Sequence, residues 1–272
     1  MTIWEAIILG IIQGATEFLP VSSSGHLVIA QQLLGITGNA LTFDVMVHAG
    51  SLLAIVVALK EEVALMATGF FSLFGGRRET AEAQDGRQLL WQVILATLPL
   101  VAAGLLFRDV VEEAFSSALV PVVLLFATGV LLLYADRARA VGGAEATGWS
   151  HALWMGLAQA LAVLPGLSRS GVTMSAGMMS GLSRQAAARF SFLLAIPAIA
   201  GATILELKGL FDGEVTSVAD TSALVVGAVT SAVTSYLAVR IFLRFVRQGR
   251  LAPFAYYTWA LGAVMLWLTL AG

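Results

Sequence analysis

Glu17, Ser23, His26 and Arg169 are the residues of this chain best suited to chemistry. Each lies within long apolar sequence, where polar and ionisable groups are costly to keep and so are candidates for function. Glu17 could act as a general base or ligate a hard cation. Gln13, four residues earlier on the same predicted helix face, could orient water or complete a metal shell. Ser22, Ser23, Ser24 and Gly25 supply hydroxyls and permissive backbone directly before another predicted helix. The free N–H groups and positive dipole end of that helix suit an anion. N-capping accounts well for one serine and poorly for three. His26, at the helix start, could be nucleophile, general acid/base or metal ligand.

Arg169 carries a permanent charge between Ser168 and Ser170, before a further predicted helix N-terminus. Its planar fork matches phosphate oxygens. A buried ion pair with Glu17 would neutralise both, and such a pair could hold an empty site and open for a ligand. Gly171 and Thr173 follow in the first turn, Thr173 offering one more hydroxyl. Asp44 and His48, four apart, read slightly better as a polar packing face than as part of a site. Arg184 and Arg189 suit a membrane boundary, and Met174, Met178 and Met179 suit packing.

These residues sit in a repeat. Gly10, Gln13, Ser22, Ser24 and Gly25 recur 146 residues later as Gly156, Gln159, Ser168, Ser170 and Gly171. Pro20 and Pro165 are one residue out of step. The copies diverge into reactive groups: Glu17, Ser23 and His26 in the first, Arg169 in the second. Similarity resumes at Phe43-Asp-Val-Met-Val and Phe190-Ser-Phe-Leu-Leu, now at an offset of 147.

The elements that must position these groups are membrane helices. The chain is 58% hydrophobic and 12% charged, against about 25% charged in ordinary soluble domains. A net charge of −2 offers no basic field for nucleic acid. The absence of cysteine excludes disulfides, thiol catalysis and Cys-ligated metal. The N-terminus lacks a basic signal-peptide region and a cleavage site, and is expected to be retained.

Six stretches are long enough, or nearly so, to span a bilayer: 43–59, 89–107, 118–134, 190–207, 223–243 and 254–271. Two more, 3–35 and 152–182, are apolar but broken by Pro, Gly and Ser. Their half-length arms predict re-entrant hairpins, since irregular backbone at membrane depth must be buried in protein or line a cavity. If both return to the side they left, twelve Lys and Arg fall on one side and two on the other, with Arg169 in a tip. The richer side includes Lys60, Arg77, Arg78, Arg87 and Arg139, with 77–87 read as a solvated loop. The positive-inside rule makes that side cytoplasmic and both termini periplasmic. The expected fold is therefore a single all-α polytopic domain over 1–272: six transmembrane helices plus two re-entrant hairpins. Its halves, approximately 1–134 and 152–272, form an inverted-topology repeat with a site at their interface.

The segments Gln13–His26 and Pro165–Thr173 resemble the two signature regions of the bacterial undecaprenyl-diphosphate phosphatases of the BacA/UppP type, and the resemblance extends to Phe190–Pro197 and essentially the whole chain. The family's acidic motif falls on Gln13 and Glu17. Its serine/histidine element falls on Ser22, Ser23 and His26, and its arginine element on Ser168, Arg169 and Thr173. Some members have Glu and Gln where this chain has Asp44 and His48. The resemblance implies an inner-membrane enzyme that dephosphorylates undecaprenyl diphosphate, recycles the lipid carrier for peptidoglycan synthesis and gives bacitracin resistance. It also implies a divalent cation, Mg²⁺ or Ca²⁺, for which Glu17 and Gln13 are the candidate ligands. A homodimer is compatible with it.

The expected division of labour puts Glu17, Ser23, His26 and Arg169 at the chemistry. Gln13, Ser22, Ser24, Gly25, Ser168, Ser170, Gly171 and Thr173 bind the head group. Ser23, His26 or water could attack phosphorus. A transporter or lipid flippase for an anionic substrate is the rival reading, because inverted repeats with two tips also suit alternating access. Such a carrier would have little use for the Glu17, Ser23 and His26 cluster.

Overall fold

Among the described residues the regular elements are helices, with one isolated bridge between Ala144 and Leu182. The computed structural model describes residues 1–36, 41–74, 80–117, 119–138, 143–211 and 220–271. Arg77, Arg78 and Arg139 of the charge count lie outside these ranges. In chain order the helices are α1 (Ile3–Thr16), α2 (Ser23–Leu33), α3 (Leu41–Ala58), α4 (Lys60–Ser72), α5 (Ala81–Leu106) and α6 (Arg108–Ser116). There follow α7 (Leu119–Ala138), α8 (Trp149–Leu161), α9 (Arg169–Ser180), α10 (Arg184–Phe211), α11 (Thr221–Phe245) and α12 (Ala252–Ala271).

Five of these, α5, α7, α10, α11 and α12, are long and apolar enough to cross a bilayer. Large apolar side chains such as Leu98, Leu105, Val123 and Ile241 remain exposed on them. Water does not tolerate so much contiguous apolar surface. The protein is a multi-pass membrane protein.

The sixth expected span, 43–59, is a helix that ends at the expected place. It forms α3, which together with α4 is long and apolar enough for a span, and the pair bends by 82° at Leu59. The apolar run stops at Lys60, Glu61 and Glu62, and the chain turns there. The stretch 60–88, expected as a connection with a solvated loop, instead holds α4 and the start of α5, which Thr80 caps by accepting from the Ala83 N–H. Apolar positions of α4 pack it onto α5, and Gly69 meets Gly86 there. A Cβ on Gly69 would lie 2.2 Å from the backbone nitrogen of Arg87.

The two interrupted regions each form a pair of short helices, α1–α2 and α8–α9. With 11 to 14 residues, each arm is roughly 17–21 Å long at 1.5 Å per residue, short of the ~30 Å hydrocarbon core. The arms are wedged into the bundle by small residues. α1 packs on α11, and its repeat counterpart α8 packs on α5. A Cβ on Gly14 would sit 2.6 Å from the Ser231 carbonyl oxygen, and one on Gly156 2.6 Å from Ala96 Cα. Without a side chain at these positions the backbones can touch, as close helix pairs in membranes require. Two further contacts, α3 with α10 and α7 with α12, complete the frame around the tips.

Buried polar ties stiffen that frame. Ser51 and Ser235 share a 2.9 Å hydroxyl contact, Ser51 and Ser231 another, and Ser231 donates to the Val47 carbonyl at 2.7 Å. At one end of the molecule Arg184 meets Asp136 at 2.8 Å, and Arg189 meets Glu62.

Candidate active site

The two breaks meet. Ser170 Oγ, in the first turn of α9, donates to the Leu19 carbonyl in the α1–α2 break at 2.8 Å. Beside this contact Phe18 packs edge-on against Phe192 of α10, with ring centroids 5.4 Å apart. The two polar tips are thereby held against each other inside the helix frame.

Glu17 is the hub. Its Oε1 accepts from Arg169 Nη2 at 2.8 Å, and its Oε2 accepts from Ser23 Oγ at 2.7 Å and Gln13 Nε2 at 2.9 Å. The side chains of Glu17 and Arg169 are only 6% and 16% exposed. Neither charge could be kept there alone, because removing an ion from water costs several kcal/mol unless it is paired. The ion pair considered from sequence therefore forms, and Ser23 joins it.

Ser22 is the single non-glycine residue with positive φ among those described, at φ 67 and ψ 93. Such backbone costs of order 1–3 kcal/mol and persists where the surroundings impose it. Here it turns the chain sharply enough to aim Ser23 back at Glu17. The Ser22 side chain does not cap α2, contrary to the ordinary role of serine at this position. It contacts Ser24 Oγ at 3.3 Å instead.

His26 stands apart from the hub. Its Nδ1 lies 2.8 Å from the Ser22 carbonyl, which can only accept, so Nδ1 carries a proton. The Nε2 of the neutral ring then accepts from the Tyr257 hydroxyl at 2.7 Å, and the two rings stack at 7°. The structure brings His26 beside the site without pointing a free nitrogen at Glu17 or Ser23.

The second tip is built for Arg169. Ser168 caps α9 by accepting from the Gly171 N–H at 3.2 Å, and its own N–H donates to Thr128 Oγ1 on α7 at 3.1 Å. Gly166 occupies the left-handed region at φ +89, and a Cβ there would lie 2.2 Å from the Pro121 carbonyl oxygen. Thr173 is fully buried, and its hydroxyl is 2.7 Å from the Arg169 carbonyl and 2.6 Å from Ser191 Oγ. It braces the helix turn that carries Arg169 rather than offering a hydroxyl to a cleft.

His48, read from sequence as part of a packing face, lies closer to the chemistry than expected. Its Nδ1 donates to the Asp44 carbonyl at 2.6 Å, and its Nε2 stands 3.6 Å from Glu17 Oε2. Asp44 is turned toward Gln31, whose amide donates to it at 2.9 Å. Thr128 and Tyr257 carried no signal in the repeat, although a polar residue such as Thr128 inside an apolar run is itself a cue.

A cleft of about 450 Å³ reaches both tips, touching Ser24 and Gly25 on one and Pro165 and Gly166 on the other. Its remaining walls are mainly apolar, among them Val28, Ile29, Met265 and Leu268. An oxygen-ligated cation has one unfilled donor at hand: Gln13 Oε1 is buried without a hydrogen-bond partner beside Glu17. Among the described residues, no group of three or more His, Cys, Asp and Glu gathers to hold a metal. The arrangement can hold an anion with Arg169, take a proton from Ser23 with Glu17, and keep an apolar chain alongside.

The chain is similar to known proteins over essentially its whole length. A family model described as "Bacitracin resistance protein BacA" matches residues 6–264. An undecaprenyl-diphosphatase of Alteromonas mediterranea is 43% identical over 272 residues, covering the whole of both chains. One of Desulfosudis oleivorans is 44% identical over 97% of each chain. Undecaprenyl-diphosphatase 1 of Pseudoalteromonas translucida is 41% identical, covering 99% of this chain and all of the relative.

Proposed function

The chain belongs to the bacitracin resistance protein BacA family, and on that footing we propose how its two tips act on a lipid diphosphate. The protein is an enzyme that dephosphorylates undecaprenyl diphosphate, and bacitracin resistance is consistent with its family. The single observation that carries the mechanism is the Glu17 carboxylate shared between Ser23 and Arg169.

In this reading Arg169 leaves Glu17 for the phosphate oxygens, with the N-terminal N–H groups of α2 and α9 beside it. Glu17, released from its counter-ion, becomes the better base. Ser23 Oγ attacks the terminal phosphorus while Glu17 takes the hydroxyl proton. The bond from that phosphorus to the bridging oxygen breaks, and Glu17 returns the proton to the departing undecaprenyl phosphate. Glu17 then takes a proton from water, whose oxygen attacks the Ser23-bound phosphorus. Inorganic phosphate leaves, and Ser23 regains its proton. Arg169 and the helix ends stabilise the charge spread over the transferred group throughout. The engagement of both His26 nitrogens, with Ser22 and Tyr257, favours Ser23 over His26 as nucleophile.

A divalent cation, Mg²⁺ or Ca²⁺, would suit the oxygen donors present, a reading supported by the unpartnered Gln13 Oε1. Gln13 and Glu17 would hold it together with substrate oxygens, and it would supply neutralisation of diphosphate charge.

The site opens, in this reading, toward the periplasmic face of the bacterial inner membrane, with both termini on that face and α1–α2 and α8–α9 as inverted re-entrant hairpins. The packing of α1 on α11 and of α8 on α5 supports an inverted repeat of 1–134 and 152–272. The gathering of Lys60, Arg189 and Arg240 at one end supports the orientation. Because the chain has no cysteine, single cysteines added at either terminus report the facing side by impermeant labelling. Association into a homodimer belongs to the reading and is checked by light scattering in detergent.

The mechanism is tested by phosphate release from a polyprenyl diphosphate with purified protein, followed by acid quench and mass spectrometry of Ser23. A phosphorylated Ser23 peptide that disappears in Ser23→Ala supports it. Label on His26, or no covalent phosphate with full turnover, would replace Ser23 by His26 or by water.

A further inference from the structure

At the basic end of the molecule lies a second polar hollow of about 340 Å³, set between the α3–α4 bend, the start of α10 and the end of α11. Nothing in the phosphatase chemistry uses it. Lys60, Arg189, Arg240, Arg244 and Arg247 line it, against two carboxylates, Glu61 and Glu62. Glu62 is already taken by Arg189. Arg240 lies over the Tyr236 ring, 5.9 Å from its centroid. Among the described residues, Lys60, Arg244 and Arg247 meet no carboxylate in an ion pair.

Two ordinary causes explain part of this. Basic residues collect at one membrane face, and the C-terminal end of a helix such as α11 welcomes cations. Neither explains why Arg240 and Arg244 of α11 and Arg247 in the turn after it, all exposed, line one concavity. Like charges four apart repel, and a concave wall concentrates that repulsion. A bound anion removes it. The wall is not wholly polar: Val57, Ala58 and Leu243 border the hollow, as they would beside the first carbons of a lipid. The start of α4 also faces it, and Leu59 gives that helix no side-chain cap.

We propose that this hollow binds a phosphate group, that of an anionic lipid head group or of free phosphate, through Arg240, Arg244, Arg247 and Lys60. Arginine forks suit phosphate oxygens, and clustered cations at a membrane surface attract anionic lipids. The site does not depend on how Ser23, His26 and Glu17 divide the phosphatase chemistry.

The test uses the full-length protein in neutral detergent, with native mass spectrometry of bound short-chain phosphatidylglycerol against phosphatidylcholine, and a parallel titration with inorganic phosphate. Wild type should retain phosphatidylglycerol in excess. In the variant R240Q/R244Q/R247Q that excess should fall roughly tenfold or more, while phosphate release from a polyprenyl diphosphate persists. Binding of inorganic phosphate that is lost in the same variant, without lipid retention, assigns the site to free phosphate. Equal retention of the two lipids with no phosphate binding by wild type overturns the proposal, as does an unchanged excess in the variant. Should the triple variant fail to fold, K60Q/R247Q repeats the comparison, since neither residue is in an ion pair with another described residue.

Discussion

Arg169 Nη2 and Glu17 Oε1 lie 2.8 Å apart, joining residues 152 positions distant in the chain. One comes from each copy of the repeat. Each helps to make the other's burial tolerable, with Ser23, Gln13 and His48 also close to the carboxylate.

Arg169→Ala therefore leaves Glu17 buried without its guanidinium counter-charge. A cost of about 3–5 kcal/mol is expected for breaking a buried pair from one side, seen as a lower unfolding temperature in detergent. Phosphate release should be abolished. Arg169→Lys should restore much of the stability and little of the activity, because an ammonium cannot reproduce the fork. Full activity in Arg169→Ala would remove the arginine from the site.

Ser23→Ala keeps the Glu17–Arg169 pair and should unfold like wild type. Its phosphate release should fall by roughly 10³ or more, the scale of losing a nucleophile. His26→Ala should cost less, about 10², as befits a group that aids proton transfer or holds position. Reversal of that order, read from kcat on the same polyprenyl diphosphate, transfers the attack to His26.

Thr128 accepts from the Ser168 N–H in a buried setting. Thr128→Val removes the acceptor while keeping the shape, so about 1–3 kcal/mol should be lost from leaving that donor unpaired. Activity should fall as well, because the start of α9 carries Arg169. Thr128→Ser should recover both. Loss of stability with unchanged kcat would confine Thr128 to folding.

Gly14 and Gly104 give a paired test of the wedge. A Cβ on Gly14 would sit 2.6 Å from the Ser231 carbonyl oxygen, whereas one on Gly104 meets nothing within 4 Å. Gly14→Ala should destabilise by about 1–3 kcal/mol through overpacking, and should impair catalysis by shifting the helix that leads to Glu17. Gly104→Ala should be neutral or gain about 0.5–1 kcal/mol from helix entropy. Similar unfolding temperatures for the two variants would refute the close α1–α11 contact.

Much of this protein is readable in its residues. Composition and run length lead to a multi-pass helical membrane protein, and the repeat of Gly, Gln and Ser locates two broken helices at 3–35 and 152–182. These features survive because they are local: hydrophobic length and helix-breaking residues act wherever they stand. The helix that follows Leu59 was less legible. The run 43–59 has the hydropathy of a span, and the continuation beyond Lys60 looks like a loop until α4 finds α5 to pack on.

The residue types by themselves determined which groups could act: an acid at 17, hydroxyls at 22–24, an imidazole at 26 and a guanidinium at 169. Only the tertiary structure decided what each faces. It aimed Ser23 at Glu17 through the positive φ of Ser22, turned His26 toward Tyr257, withdrew Thr173 into the core and brought His48 to within 3.6 Å of the carboxylate. Spacing along a helix tells which side chains share a face. It cannot tell which of two distant helices that face will meet, because that choice belongs to packing across the whole bundle.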